Sequence, residues 1–266
     1  MKQESQLLSV IVPSYHQERV IEQNILSLSA ALIRIGVPYE IIIVVDGRDD
    51  KTYENALKLK DKQVHVVGYE HNRGKGYAVR FGMARARGKI IAFIDAGGDI
   101  NPEGISILLE HFRWYNADIV VGSKRHPVSK INFPWYRKIL SWGYQQLVRV
   151  LFGLNIRDSQ VGLKLFRRNV LEDVLPRLLV KRFAFDIEIL AVAHSLGYTR
   201  IYEGPVELDF SGASSITSTK LWKEVWSMLW DTMAIFYRLK ILHYYTGVNR
   251  RRWIYDKELD FRINVG

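Results

Sequence analysis

The sequence predicts an α/β doubly wound fold, a mainly parallel sheet flanked by helices. Two observations carry this. Short, almost continuously apolar runs recur through the first half of the chain, as strands buried on both faces require. Helical periodicity fills the stretches between them, and such alternation argues a parallel sheet with helical crossovers. In order, Leu8 to Pro13 (LSVIVP) is a strand, Arg19 to Arg34 a helix and Glu40 to Val45 (EIIIVV) the second strand. Thr52 to Lys60 is helical, Val64 to Val67 a strand, Gly76 to Arg87 a helix and Lys89 to Ile94 (KIIAFI) a strand. Glu103 to Asn116 is helical and Asp118 to Val121 a fifth strand. Beyond Arg125 the pattern changes: Phe133 to Leu154 and Phe183 to Leu196 read as helices, and Arg200 to Phe210 as a strand. Lys220 to about Tyr245 is helical again, and Asn249 to Gly266 reads as a charged, loosely held tail.

Bulk composition narrows the classes. With 266 residues, 48% of them hydrophobic, one large domain plus an appendage is expected. We divide them at 1–217 and 218–266. There is no cysteine, which excludes a disulfide framework and any thiolate-ligated metal. A net charge of +10 directs attention to anionic partners: nucleic acid, phosphorylated substrates or an acidic membrane surface. No nucleic-acid motif is present, and aromatics do not interleave with the basic residues, so nucleic acid is not expected. No run of about 18 apolar residues suggests a transmembrane helix. The first ten residues lack the apolar stretch of a signal peptide.

Sites in doubly wound folds lie beyond the carboxyl ends of the strands. Asp46 ends the second strand, and Asp95 ends the fourth in the turn Asp95-Ala96-Gly97-Gly98-Asp99. Two acids there suit a nucleotide: one accepts from base or ribose, the other holds a hard cation, Mg²⁺ or Mn²⁺, on a diphosphate. The competing reading makes each acid a helix cap. Gly74-Lys75-Gly76 opens a helix beside Arg73 and Arg80, an arrangement suited to an anion, although its spacing is not that of a P-loop. The histidines show no ligand spacing, and His194 on an apolar helix reads as structural.

Taken together, these segments resemble the inverting GT-A glycosyltransferases of family 2, in the polyprenyl-phosphate sugar synthase branch that includes dolichyl-phosphate glucose and mannose synthases. The resemblance covers roughly residues 8 to 215. Val12-Pro13-Ser14-Tyr15-His16-Gln17-Glu18 is similar to the family's Val-Pro-Ala-Tyr-Asn-Glu-Glu, and Val45-Asp46-Gly47-Arg48-Asp49-Asp50-Lys51-Thr52 is similar to its Asp-Asp-Gly-Ser-x-Asp-x-Thr, with Val45 in place of the first acid. Asn72 to Ala78 matches Asn-x-Gly-Lys-Gly-x-Ala, and Asp95-Ala96-Gly97 stands where the family has Asp-x-Asp. Gly122-Ser123-Lys124-Arg125 resembles Gly-Ser-Arg, and Asp158 to Lys164 resembles the glucose-synthase-like Asp-Thr-Gln-x-Gly-Phe-Lys. The departures are Val45, His16, Gln17 and Gly97, the last of which removes the second acid of Asp-x-Asp.

The resemblance implies a GT-A (Rossmann-like) fold that transfers a hexose from a nucleotide sugar to a polyprenyl phosphate. UDP-glucose is the favoured donor, with GDP-mannose the other donor class. It implies nucleotide-sugar binding by Pro13, Tyr15, Glu18, Asp46, Asn72, Gly74, Lys75, Asp95 and Ala96, and catalytic roles for Asp95, Asp186 and Gln160. Asp99 is expected to supply the missing cation ligand beside Asp95. Lys124, Arg125, Arg137 and Lys164 are expected to seat the acceptor phosphate, and Asp186 or Glu188 to position the sugar or act as base, unless they simply form a helix face against Arg182. A saccharide acceptor, or a non-catalytic nucleotide-sugar module, are the competing readings.

The helix from Lys220 shows C-terminal amphipathic character of an inverted kind. Lys220, Lys223, Glu224, Ser227, Asp231 and Arg238 form one narrow polar stripe, and nearly everything else is apolar. Such a helix must bury two faces. Trp222, Trp226 and Trp230 lie four apart, and with Trp135 and Trp142 they place five of seven tryptophans in two helices. Tryptophan is favoured at a membrane interface. We therefore expect peripheral attachment to an anionic membrane on its cytoplasmic face, with a core helix or a homo-oligomer seam as the other reading.

Overall fold

In the computed structural model, which describes residues 6–124, 135–180, 184–207, 218–246, 253–259 and 261–264, the five apolar runs are strands. They are β1 (Leu8–Ser14), β2 (Tyr39–Asp46), β3 (Val64–Tyr69), β4 (Ile90–Ile94) and β5 (Ile119–Ser123). β6 (Leu163–Arg167) and β7 (Ile201–Pro205) complete a seven-stranded sheet of order β3-β2-β1-β4-β6-β5-β7. Neighbours run parallel except at β6, which is antiparallel to both β4 and β5. The mainly parallel sheet expected from the sequence is therefore observed.

Alternation along the strands explains the continuous apolar runs. Ile11, Ile42 and Val44 pack into one core, while Val10, Val12, Ile41, Ile43 and Val45 pack into the other. Both faces are covered, so both parities must be apolar. α1 (Ile21–Ile35), α2 (Thr52–Leu57) and α4 (Gly104–Trp114) cover one face. α3 (Lys75–Arg85), α5 (Trp135–Phe152), α6 (Arg168–Val174) and α7 (Phe185–Ser195) cover the other.

α8 (Ser218–Phe236) runs into a π-helical turn, Tyr237–Ile241. Its inner residues Ile235 and Leu239 join the core, and its buried Thr232 meets the Tyr144 hydroxyl of α5 at 2.7 Å. On its other side Trp226, Trp230, Met233, Tyr237 and Ile241 are exposed.

The expected loose tail is corrected. Trp253–Asp256 (β8) and Phe261–Asn264 (β9) pair as an antiparallel hairpin. Its turn residue Leu259 is buried in the core, which ties the segment to the body.

The strand order fixes where a ligand belongs. From β1 the chain winds outward to β2 and β3, then returns to β4 on the other side of β1. The carboxyl ends of β1 and β4 thus flank the switch point where doubly wound sheets open a crevice.

Candidate active site

A cavity of about 610 Å³ opens at that switch point. It is lined by Pro13, Ser14, Tyr15 and Gln17 after β1, by Asp46, by Asn72, Gly74, Lys75 and Ala78 at the start of α3, and by Asp95, Ala96 and Gly97 after β4. Of the nine residues expected to bind a nucleotide sugar, only Glu18 is missing from this lining. Glu18 accepts from the Lys51 amide at 3.2 Å, beside the start of α2. Ser14, Gln17, Ala78 and Gly97 are additions. A cavity of similar volume, about 650 Å³, lies at Glu110 to Tyr115 at the end of α4, away from the strand ends, and holds none of the expected residues.

Asp46 organises one wall. Its carboxylate accepts from the Tyr69 hydroxyl at 2.8 Å, the Arg73 amide at 2.7 Å, the Gly74 amide at 3.0 Å and the Asn72 side chain at 3.1 Å. The sequence placed an acid here because of the strand end; the structure uses it to hold the glycine turn that opens α3. Gly74 has φ of 94°, a left-handed conformation suited to glycine. The opposite wall is aromatic. Tyr15 stacks on His16 at 4.0 Å, and both side chains reach Asp49 Oδ2, at 3.2 and 3.0 Å. His16 itself has a positive φ of 52°, uncommon outside glycine and a form of strain found at functional sites.

From the cavity floor a file of alternating charges runs into the core. Lys75 Nζ lies 2.8 Å from Asp95 Oδ1 and 3.8 Å from Asp186 Oδ2. Lys164 Nζ lies 2.6 Å from Asp186 Oδ1 and donates to the Val161 carbonyl at 2.7 Å. Asp95 is 41% exposed and Lys75 22%, whereas Asp186 is 5% and Lys164 0% exposed. Burial alone pulls the Lys75 ammonium down, but the Asp186 and Asp95 carboxylates outweigh it and hold it above the ordinary lysine range. For Lys164 burial wins, and its ammonium is held below that range despite Asp186. A fully enclosed, paired ammonium is not a seat for an acceptor phosphate, so that expectation for Lys164 is corrected.

The other expected residues fall as follows. Gln160 turns from the cavity toward α8, its side-chain nitrogen 2.7 Å from Met228 Sδ. Asp99 is exposed and outside the cavity lining. Glu188 is fully buried, accepting from the Leu179 and Val180 amides and the Tyr245 hydroxyl; burial raises its carboxyl. It is a core anchor rather than a base. Lys124 is half-buried at the end of β5, its amide 3.3 Å from Asp158 Oδ2. Burial pushes the Asp158 carboxyl above its usual range. Arg125 and Arg182 lie outside the described residues, as do the side chains of Arg137, Trp135 and Trp222.

Sequence reading missed Gly162. It sits one residue before β6, where its carbonyl accepts from the Asp95 amide at 3.0 Å. A Cβ there would lie 1.9 Å from Asp95 Oδ2. The signal was present in the Asp158 to Lys164 motif, whose polar residues drew the attention instead.

Among the described residues no group of three or more His, Cys, Asp or Glu side chains is placed to hold a metal ion. Of the two acids among the described residues that line the cavity, Asp46 is buried and Asp95 is exposed. That suits a hard cation whose remaining ligands are substrate phosphates and water.

Comparison with known proteins adds the following. Residues 9–175 match the model of glycosyl transferase family 2. A dolichyl-phosphate beta-glucosyltransferase of Drosophila melanogaster is 36% identical over 207 residues, 71% of this chain and 63% of that protein. The Homo sapiens enzyme of the same name is 34% identical over 202 residues, 70% of this chain and 62% of its own length. The chain thus spans less than two thirds of the length of these relatives. Glucosyl-3-phosphoglycerate synthase of Mycobacterium tuberculosis, in complex with Mn²⁺, UDP and phosphoglyceric acid, superposes with a TM-score of 0.68 at 17% identity, covering 87% of this chain and 78% of that one. The same enzyme with Mg²⁺ and UDP gives 0.65 at 16% identity, covering 86% and 79%. At these identities the likeness is one of fold, the GT-A arrangement.

Proposed function

The chain belongs to glycosyl transferase family 2, and from that premise we propose that it transfers glucose from UDP-glucose to a polyprenyl phosphate at a membrane surface. The observation that carries this is the switch-point cavity, where an exposed carboxylate and a lysine held protonated face a space of small-ligand size. The glucosyltransferase relatives support glucose and a prenyl acceptor. Their names specify a beta-glucosyl product, and nucleotide glucose carries an α bond, so the transfer is inverting.

Inversion is an in-line displacement at the anomeric carbon. The acceptor phosphate oxygen forms the new bond while the bond to the departing UDP breaks. A phosphate monoester has a second pKa of about 6, so the attacking oxygen is already ionised and no base has to remove a proton. The two acids weighed as bases are both engaged elsewhere among the described residues: Asp186 lies between two ammoniums and Glu188 is in the core. Lys75 and Tyr15 both line the cavity; we assign Lys75 to the negative charge that collects on the departing diphosphate and the Tyr15 ring to the nucleobase. A bound Mg²⁺ or Mn²⁺ would be held by Asp95 and diphosphate oxygens, and supplies charge neutralisation of the leaving group.

Asp95→Asn is expected to lower kcat/KM by at least about 100-fold, with UDP binding losing its cation dependence. The assay pairs radiolabelled UDP-glucose with a polyprenyl phosphate, with Mn²⁺ or with EDTA, and GDP-mannose as the competing donor. Label in the organic phase supports the reading. UDP-glucose consumption with label only in a water-soluble saccharide replaces it with a saccharide acceptor. No turnover of either donor removes the enzymatic reading.

Among the described residues no helix is long and apolar enough to cross a membrane. We assign membrane contact to α8 and the π-helical turn after it, where Trp226 (70% exposed), Trp230 (77%) and Met233 of the helix and Tyr237 and Ile241 of the turn form one exposed stripe. We place this contact on the cytoplasmic face. The double change Trp226→Ser and Trp230→Ser is expected to abolish flotation with anionic liposomes and leave the melting temperature unchanged. Equal flotation of variant and wild type assigns the stripe to a second copy of the chain.

A further inference from the structure

We infer that Glu258, in the turn of the β8–β9 hairpin, is a positioning residue for the turn that presents Lys75 to the cavity. The inference rests on the nucleotide-sugar reading of that cavity. Glu258 is remote in sequence, yet its carboxylate takes both terminal nitrogens of Arg73, the second at 3.0 Å, and the Tyr77 hydroxyl at 3.0 Å. Arg73 also donates to the Tyr77 hydroxyl at 2.9 Å. Both partners flank Gly74-Lys75-Gly76. The backbone of Arg73 is what Asp46 binds, at 2.7 Å, so one residue joins the hairpin to the cavity wall. The Arg73 guanidinium lies over the rings of Tyr69 and Tyr77, at 5.5 and 4.9 Å, and Tyr69 itself donates to Asp46. Two carboxylates therefore hold the same turn, one from the cavity side and one from outside.

The charge states are set for this. The Arg73 and Tyr77 contacts hold the Glu258 carboxyl below its usual range. Burial and the Glu258 bond push the Tyr77 phenol up to about 12, so it donates at any physiological pH.

The hairpin does not need this side chain in order to dock. Leu259 is buried in the core and Arg85 donates to the Glu258 carbonyl at 2.8 Å, while within the turn itself Asp256 Oδ1 accepts from the Glu258 and Leu259 amides at 2.9 and 3.1 Å. The Arg177 guanidinium lies 5.5 Å from the Trp253 ring. Removing the Glu258 carboxylate leaves these contacts intact and frees only Arg73 and Tyr77.

The turn pays entropy to be ordered on binding if it is not held beforehand. The test is Glu258→Ala and Glu258→Gln in the full chain. The measurements are UDP affinity by calorimetry with Mn²⁺, KM for UDP-glucose, KM for the prenyl phosphate, and melting temperature. Glu258→Ala is expected to weaken UDP binding and raise the donor KM about fivefold, an effect the size of one exposed ion pair. The acceptor KM should stay unchanged, and the melting temperature should fall by no more than about 3 °C. Glu258→Gln keeps an acceptor for Tyr77 and should fall between Ala and wild type. Equal UDP affinity in wild type and both variants overturns the inference alone. Donor and acceptor KM rising together with a larger fall in melting temperature overturns it in favour of a purely structural hairpin. A wild-type chain that does not bind UDP overturns the functional reading and this inference together.

Discussion

Gly162→Ala is expected to abolish transfer almost completely, by at least about 100-fold in kcat/KM, in a protein that still folds. The added methyl would lie 1.9 Å from Asp95 Oδ2 and 2.3 Å from its Cγ. Such contacts cannot be absorbed by a small shift. The separation is also fixed, because the Asp95 amide donates to the Gly162 carbonyl at 3.0 Å and β4 and β6 pair immediately beyond, Ile94 opposite Leu163. The carboxylate must therefore swing away, which breaks its 2.8 Å contact with Lys75 and withdraws the one exposed acid from the cavity. The substitution removes no functional group, so a lost activity is attributable to displacement. Gly143→Ala in α5 is the control: nothing lies within 4 Å of a Cβ there, and alanine favours the helix. UDP calorimetry, kcat/KM and circular dichroism of both variants make the check. Full activity in folded Gly162→Ala would mean that the placement of Asp95 does not matter to the reaction.

What was legible in the sequence follows from burial and period. The first five strands are sandwiched between helices, so both parities are apolar and the runs stand out. β6 was hidden because Lys164 interrupts its apolar run, and its reversed direction depends on pairing that no local pattern records. The β8–β9 hairpin was hidden for a related reason: its strands are short and polar, and its only deeply buried anchor among the described residues, Leu259, lies in the turn. Asp46, Lys75 and Asp95, which line the cavity, could be singled out in the sequence because strand ends and glycine turns are local features. Lys164 was misplaced because a charged residue in a motif looks the same whether it meets solvent or a buried carboxylate. Glu18 and Gln160 were named from motif order and Asp99 from the acid missing at Gly97; Glu18 bonds at the start of α2, Gln160 meets α8 and Asp99 is exposed.

Lys164→Met is expected to destabilise the fold by about 3 kcal/mol, the lower end of what breaking a buried ion pair costs. Methionine fills the space of the lysine stem, so packing changes little. Asp186, however, loses a partner at 2.6 Å while remaining 5% exposed. Lys75 at 3.8 Å from its other oxygen supplies partial compensation, which is why the upper end is not reached. Removing both charges tests the account. Lys164→Met with Asp186→Leu leaves no uncompensated charge at the inner end of the file, and such replacements are often neutral or stabilising. The double variant should therefore recover most of the lost stability in urea unfolding, with the single changes strongly non-additive. Its chemistry should not recover in parallel. Without Asp186, Asp95 is the one carboxylate partner left to Lys75 among the described residues, and an acid engaged that way is less free to hold a cation against a diphosphate. UDP affinity in the presence of Mn²⁺ should then fall by about tenfold, or 1.4 kcal/mol, in a protein that has recovered most of its stability. Additive stability losses would show that Lys164 and Asp186 are not coupled. Unchanged UDP affinity in the double variant would show that the inner pair serves the fold and not the site.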